Sequence, residues 1–198
     1  MSQPPVLWSP PPDVRERTRI GAYLDFLEDE HGLTFADYGE LLRWSLDEPG
    51  AFWSSVWTCF DVRSSTNPGP PLADASMPGA RWFPDARLNW AEHCLRLAGR
   101  GGDDVVLIAR SQTRDRIALT ADELRDEVAR CRSGLRRLGV ERGDRVAAYL
   151  PNVPEAVVAM LATASLGATW SSCAPEFGTR SVVDRFSQIE PKVLLTID

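Results

Sequence analysis

Apolar residues recur at helical spacing through the first half of the chain, and in short runs divided by amphipathic stretches through the second. Ile20, Leu24, Leu27 and His31 lie on one helical face, and Gly32 follows as a stop. Thr34 offers an N-cap to a second helix that buries Phe35, Tyr38, Leu41, Leu42 and Leu46. Pro49 suits the first turn of a third helix with Phe52, Trp53, Val56 and Trp57 on its inner face. Prolines, glycines and serines dominate residues 61–84, which predicts a loop. Asn89 then caps a helix that runs to Leu97.

Val105–Arg110 and Arg116–Leu119 read as strands. Thr120 followed by Glu123 is a capping box, in which hydroxyl and carboxylate satisfy free N–H groups at a helix start. Leu124, Val128, Cys131, Leu135 and Leu138 form the face of that helix, and Gly139 ends it. Arg145–Leu150 is a strand, Pro154 opens a helix through Leu166, and Ala168–Cys173 is a third apolar run. Thr179 caps a helix to Ile189, and Lys192–Ile197 is a further strand. Strand and helix alternate here, as they do in parallel sheets with crossover helices. The fold class expected is α/β: an N-terminal helical cap over residues 1–100, then over 101–198 the first, largely parallel part of an incomplete sheet subdomain. The last strand stops where the next functional loop of such a fold begins, so the chain reads as truncated.

Composition narrows the function. The 198 residues are 43% hydrophobic and 25% charged, an ordinary globular balance for one domain or one domain with an appendage. A formal net charge of -6 leaves no basic stripe to replace phosphate counterions, which argues against nucleic-acid binding. No apolar run approaches the roughly 20 residues of a membrane span, and Met1–Pro12 lacks the basic start and apolar core of a signal peptide. Cys59, Cys94, Cys131 and Cys173 are widely spaced with no CxxC pair, a cytoplasmic usage without a disulfide framework or zinc site. Of the 22 basic residues all but Lys192 are arginine, so lysine chemistry within the chain must use that residue.

The familiar nucleotide and hydrolase signatures are missing: there is no G-x-G-x-x-G, no G-x-x-x-x-G-K-[ST] and no G-x-S-x-G. Ser64-Ser65-Thr66-Asn67-Pro68-Gly69-Pro70 has the look of a phosphate loop, but two prolines remove donors and no lysine follows. His31 and His93 stand outside any recognisable catalytic motif and read as ordinary surface or packing residues.

Longer stretches carry a resemblance. Leu119-Thr120-Ala121-Asp122-Glu123-Leu124, Gly139-Val140-Glu141-Arg142-Gly143-Asp144-Arg145-Val146-Ala147 and Leu150-Pro151-Asn152 resemble the opening of the AMP-forming acyl-CoA synthetase superfamily. Ala121-Asp122 stands where that family has a tyrosine and a variable residue. Gly167 to Gly178, with Val183-Asp184-Arg185-Phe186 and Pro191-Lys192-Val193-Leu194, is similar to the acetoacetyl-CoA synthetase branch. Arg81-Trp82-Phe83-Pro84 and Leu88-Asn89-Trp90-Ala91-Glu92 resemble the N-terminal cap of acetyl- and acetoacetyl-CoA synthetases.

The resemblance implies a two-step ligase. ATP and a carboxylate form an acyl-adenylate and pyrophosphate, and CoA thiolate then displaces AMP. It implies ATP, Mg2+ and CoA in the full-length enzyme, acetoacetate as the acid, and the remainder of the same enzyme as partner. In such enzymes the phosphate loop, the metal-binding glutamate and the catalytic lysine lie further along, so no catalytic or metal residue is expected in this segment. Residues 101–198 would begin the adenylate-forming domain. The one binding expectation is a CoA contact at Ala174, Pro175 and Glu176, between the third apolar run and the helix at Thr179. Acetyl-CoA synthetases carry Phe-Gly-Gly at the aligned position, and here Glu176 would repel a phosphate but could accept from an adenine amino group. Two alternatives stay open: a ligase for acetate or propionate, and a non-catalytic stand-alone module.

Overall fold

The computed structural model describes residues 5–197, so Met1–Pro4 of the proline-rich start and Asp198 lie outside the described residues. Two compact units divide the chain, Met1–Arg87 and Leu88–Asp198. Among the described residues no helix is long and apolar enough to cross a membrane.

The first unit opens with α1 (Val14–Arg17) and α2 (Arg19–His31), continues through α3 (Tyr38–Asp47) and α4 (Pro49–Cys59), and adds a small antiparallel pair, β1 (Leu72–Asp74) and β2 (Arg81–Trp82). Thr18 starts α2 by accepting from the Gly21 N–H, and Gly32 ends it in the left-handed conformation at φ 65. Gly21 sits where α1 presses on α2. A Cβ there would collide with the Arg15 carbonyl, so only glycine lets the two helices meet as they do. The second helix begins later than expected. Asp37, not Thr34, is the cap, accepting from the Glu40 N–H, and Glu40 reaches back to the Ala36 N–H. Of the predicted face only Leu41 is buried, while Tyr38 and Leu46 are about 70% exposed (71% and 70%). Pro49 occupies the first turn of α4 as expected. Its Phe52 and Val56 join Tyr23, Leu27 and Leu41 in the core, and the Tyr23 hydroxyl bonds Ser55 Oγ at 2.6 Å inside it. Strands β1 and β2 interrupt the predicted loop. They are too short and too exposed to show an apolar alternation.

The second unit follows the sequence pattern closely. It comprises α5 (Trp90–Arg96), β3 (Val105–Ala109), β4 (Ile117–Thr120), α6 (Ala121–Arg137), β5 (Arg145–Tyr149), α7 (Pro154–Ser165), β6 (Thr169–Cys173), α8 (Thr179–Ile189) and β7 (Val193–Thr196). Asn89 caps α5 as expected, accepting from the Glu92 N–H, and its amide also donates to the Ala164 carbonyl at the end of α7. The capping box of α6 is complete, with Thr120 and Glu123 each accepting from the other's backbone N–H. Strands β3 and β4 form a separate antiparallel hairpin, and the parallel sheet has the order β6-β5-β7. Central β5 contributes Val146, Ala147 and Ala148, all 0% exposed. On one face Val146 packs with Leu124, Val128, Leu135, Val158 and Leu161 of α6 and α7; on the other, Ala147 and Cys173 meet Val182 and Phe186 of α8. Each such aliphatic side chain, fully buried, contributes roughly 1.5–3 kcal/mol. Leu138, predicted on the inner face of α6, lies past its end and is exposed.

Candidate functional site

In the parallel sheet the strand ends at Tyr149, Cys173 and Thr196 mark the edge where loops lead into helices, the usual place for ligands in this kind of fold. The loop Ala174–Gly178 leaves β6 there and feeds α8. Ala174 is half-buried, whereas Pro175 and Glu176 are exposed, so all three predicted contact residues lie together on one accessible turn. The Phe177 N–H donates to the Ala174 carbonyl at 3.1 Å, which closes the turn on itself. Thr179 is the first residue of α8 and not its cap: that position is Gly178, in extended conformation. Its carbonyl accepts from the N–H groups of Ser181 and Val182.

Two further groups hold the turn. Tyr149 pairs with Cys173 as the last rung of the β5–β6 ladder. From there its hydroxyl reaches the carbonyl oxygens of Pro175 at 2.8 Å and Phe177 at 2.9 Å. The Arg185 guanidinium, one helical turn and more into α8, lies over the Phe177 ring at 4.8 Å from its centroid. Sequence reasoning missed Tyr149 in this role. A tyrosine closing an apolar strand looks like any other β-favouring residue, and the turn it serves is about 25 positions away along the chain.

A second feature, absent from the sequence reading, is a cleft of about 1030 Å³ bounded by the β3–β4 hairpin, the start of α7 and the ends of β5 and β7. Leu119, Leu150, Val158 and Leu195 supply apolar lining, and Arg110 and Asn152 add polar groups. Arg114 donates to both carboxylate oxygens of Glu155, at 2.7 and 3.2 Å, and so ties the hairpin to the first turn of α7. That pairing, first through the hydrogen bond, holds the Glu155 carboxyl below its ordinary range. The turn at Ala174–Gly178 does not line this cleft.

Lys192 has a partner. Its ammonium lies 2.9 Å from Asp144 Oδ2, which also accepts from the Glu141 N–H at 2.7 Å. The backbone hydrogen bond first, and the lysine second, hold the Asp144 carboxyl below its ordinary value. The pair joins the entrance of β7 to that of β5, at the edge of the sheet opposite the turn. The Ser64–Pro70 loop is likewise occupied by its own structure: Ser64 and Ser65 hydroxyls donate to the Arg87 carbonyl, and Thr66 donates to that of Asp85.

With this geometry in hand, the chain can be set beside known proteins. It is similar to an acetoacetyl-coenzyme A synthetase of Rhizobium meliloti (strain 1021), 44% identical over 97% of this chain and 29% of that protein. An acetoacetyl-CoA synthetase of Danio rerio is 38% identical over 97% of this chain and 28% of its own length. Among solved structures, an acetoacetyl-CoA synthetase from Streptomyces lividans superimposes with a TM-score of 0.91 at 48% identity, covering 98% of this chain and 30% of that one. The chain thus spans about 29% of the length of the curated relatives it matches. The family model for the acetyl-coenzyme A synthetase N-terminus matches residues 38–94. Since the model for AMP-binding enzymes takes up at residue 95 and matches through 198, more than half of the chain, the protein belongs to the AMP-binding enzyme family.

Proposed function

We propose that this chain is the amino-terminal portion of a cytoplasmic acetoacetate–CoA ligase, which joins acetoacetate to ATP as an acyl-adenylate, releases pyrophosphate, and passes the acyl group to CoA. The observation that carries the reading is the in-register likeness to acetoacetyl-CoA synthetases across nearly the whole chain, in sequence and in fold. In this proposal residues 1–100 are the helical cap and 101–198 begin the adenylate-forming domain, a division supported by family matches that change over at residue 95.

The role proposed for the turn is contact with CoA through Ala174, Pro175 and Glu176. Accessibility at the ends of parallel strands, ahead of an 11-residue helix, supports it. Glu176 would accept from the amino group of the adenine, while phosphates lie away from its carboxylate. Among the described residues no group of three or more His, Cys, Asp or Glu side chains could hold a metal ion, so no step through Mg2+ is assigned to them.

The test is pyrophosphate exchange into ATP by the complete enzyme carrying this segment, with acetoacetate, acetate and propionate compared. Acetoacetate should give the highest kcat/KM; a preference for either other acid would overturn the substrate assignment. Residues 1–198 alone should give no exchange above a heat-killed control.

A further inference from the structure

We propose that Tyr149 is the positioning residue of the CoA-binding turn: its hydroxyl holds the Pro175 and Phe177 carbonyls so that the backbone at Glu176, between them, keeps one path with that exposed residue at its tip. The inference rests on the CoA reading of that turn and adds the residue through which the turn acquires its shape.

The geometry is specific. Tyr149 ends β5 and Cys173 ends β6, so a side chain leaving Tyr149 on the α8 face is beside the point where the chain departs from the sheet. Tyr149 packs against the buried cluster that contains Ala147, Cys173, Val182 and Phe186, which restricts the direction of the phenol. Its one proton is shared between two acceptors at 2.8 and 2.9 Å, the carbonyls on either side of Glu176. Backbone atoms, not side chains, are gripped, so the tie sets the path of the turn whatever residues occupy it. Arg185 over the Phe177 ring secures the far end. A turn held at both neighbours of Glu176 cannot shift its backbone at that residue without breaking a hydrogen bond. Binding a flexible ligand against a fixed partner avoids the ordering cost that a loose loop would add.

Tyr149→Phe removes one oxygen and keeps the packing. In the complete ligase it should raise the KM for CoA about three- to tenfold, the usual worth of one hydrogen bond. It should leave kcat at saturating CoA, and acetoacetate-dependent pyrophosphate exchange, within about twofold. A general packing defect would lower both half-reactions together, and that outcome overturns the proposal. Glu176→Arg, measured alongside, separates the two layers. If it shifts the CoA KM about tenfold while Tyr149→Phe does not, the turn binds CoA but Tyr149 does not position it. If neither variant moves the CoA KM, the CoA reading falls and this inference with it. A second measurement is made on the complete ligase. Amide hydrogen exchange at Ala174, Glu176, Phe177 and Gly178 should speed up in Tyr149→Phe with exchange in β5 unchanged, and unaltered exchange in the turn overturns the proposal.

Discussion

In the unit Met1–Arg87 the buried apolar side chains among the described residues are Tyr23, Leu27 and Leu41, ringed by Phe35, Trp44 and Phe52. In Leu88–Asp198 a cluster of nine buried residues covers one face of the sheet and a cluster of four the other. The first arrangement depends on ring orientation. Tyr23 meets Phe52 edge-on at 6.3 Å, Trp44 meets Phe52 edge-on at 5.9 Å, and Phe35 tilts against Trp44 at 5.5 Å. Each such pair adds roughly 0.5–1.5 kcal/mol beyond its buried area, but only in the right geometry. The second arrangement depends on repetition, because small and branched aliphatics at regular spacing tolerate exchange as long as volume is kept. A few directional contacts therefore carry one unit and many interchangeable ones the other.

Leu27→Ala should strain that contrast most. Leu27 is 0% exposed at the centre of the ring shell, and its truncation should cost about 2–5 kcal/mol. Urea unfolding followed by near-ultraviolet dichroism is a suitable readout, since Trp8, Trp44, Trp53, Trp57 and Trp82 all fall in this unit. A loss under about 1 kcal/mol would mean the rings close over the gap, and the first core would be as adaptable as the second.

Thr163→Val should act in the opposite direction. Thr163 is 0% exposed within α7, and its hydroxyl has no hydrogen-bond partner among the described residues. The isosteric valine removes a buried polar group and should stabilise the second unit by about 1–3 kcal/mol. Destabilisation would reveal that repetition alone does not describe that core.

Thr120→Ala removes half of the capping box on α6 and should cost about 1 kcal/mol in the same denaturant assay. Thr120→Ser should restore most of it, and failure of that rescue would point to packing of the methyl group instead.

The smallest effect belongs to Asp144. Its carboxyl titrates below the ordinary value of about 3.9, so its stabilising contribution is fully present above that pH. The contribution is lost as pH falls through the depressed value. Asp144→Asn should therefore flatten, without abolishing, the decline in stability on the acid side. Part of the slope should persist because Glu155 and Asp74 are depressed as well. An unchanged slope would assign the acid sensitivity to those two groups.

The contrast also explains what could be read from the chain. Thr120, Glu123, Pro154 and the Leu124–Leu135 face act within one or two helical turns, so their roles follow from spacing. The parallel pairing of β5 with β6 and β7 was signalled by the helices between them. In the first unit Asp37 displaced Thr34 as cap because the Glu40 carboxylate, three residues on, completes the reciprocal pair at Ala36. Tyr38, Leu42 and Leu46 look like a buried face by periodicity, yet the inner surface is filled by rings from α2 and α4. The turn at Ala174–Glu176 was legible from its position after a strand. Its tie to Tyr149 and the cleft near Arg110 were not, since both join residues far apart in sequence.

The Lys192–Asp144 pair has a practical consequence for proteolysis. With arginine at every other basic position, a lysine-specific endoprotease has a single cleavage point in the 198 residues, the bond between Lys192 and Val193. In the folded chain the Lys192 N–H donates to the Arg145 carbonyl at 2.8 Å, and Val193 pairs with Val146. The bond is cut only when β7 peels from β5. The rate at which residues 193–198 are released is then a clock for opening at that edge of the sheet, readable by mass spectrometry without any label.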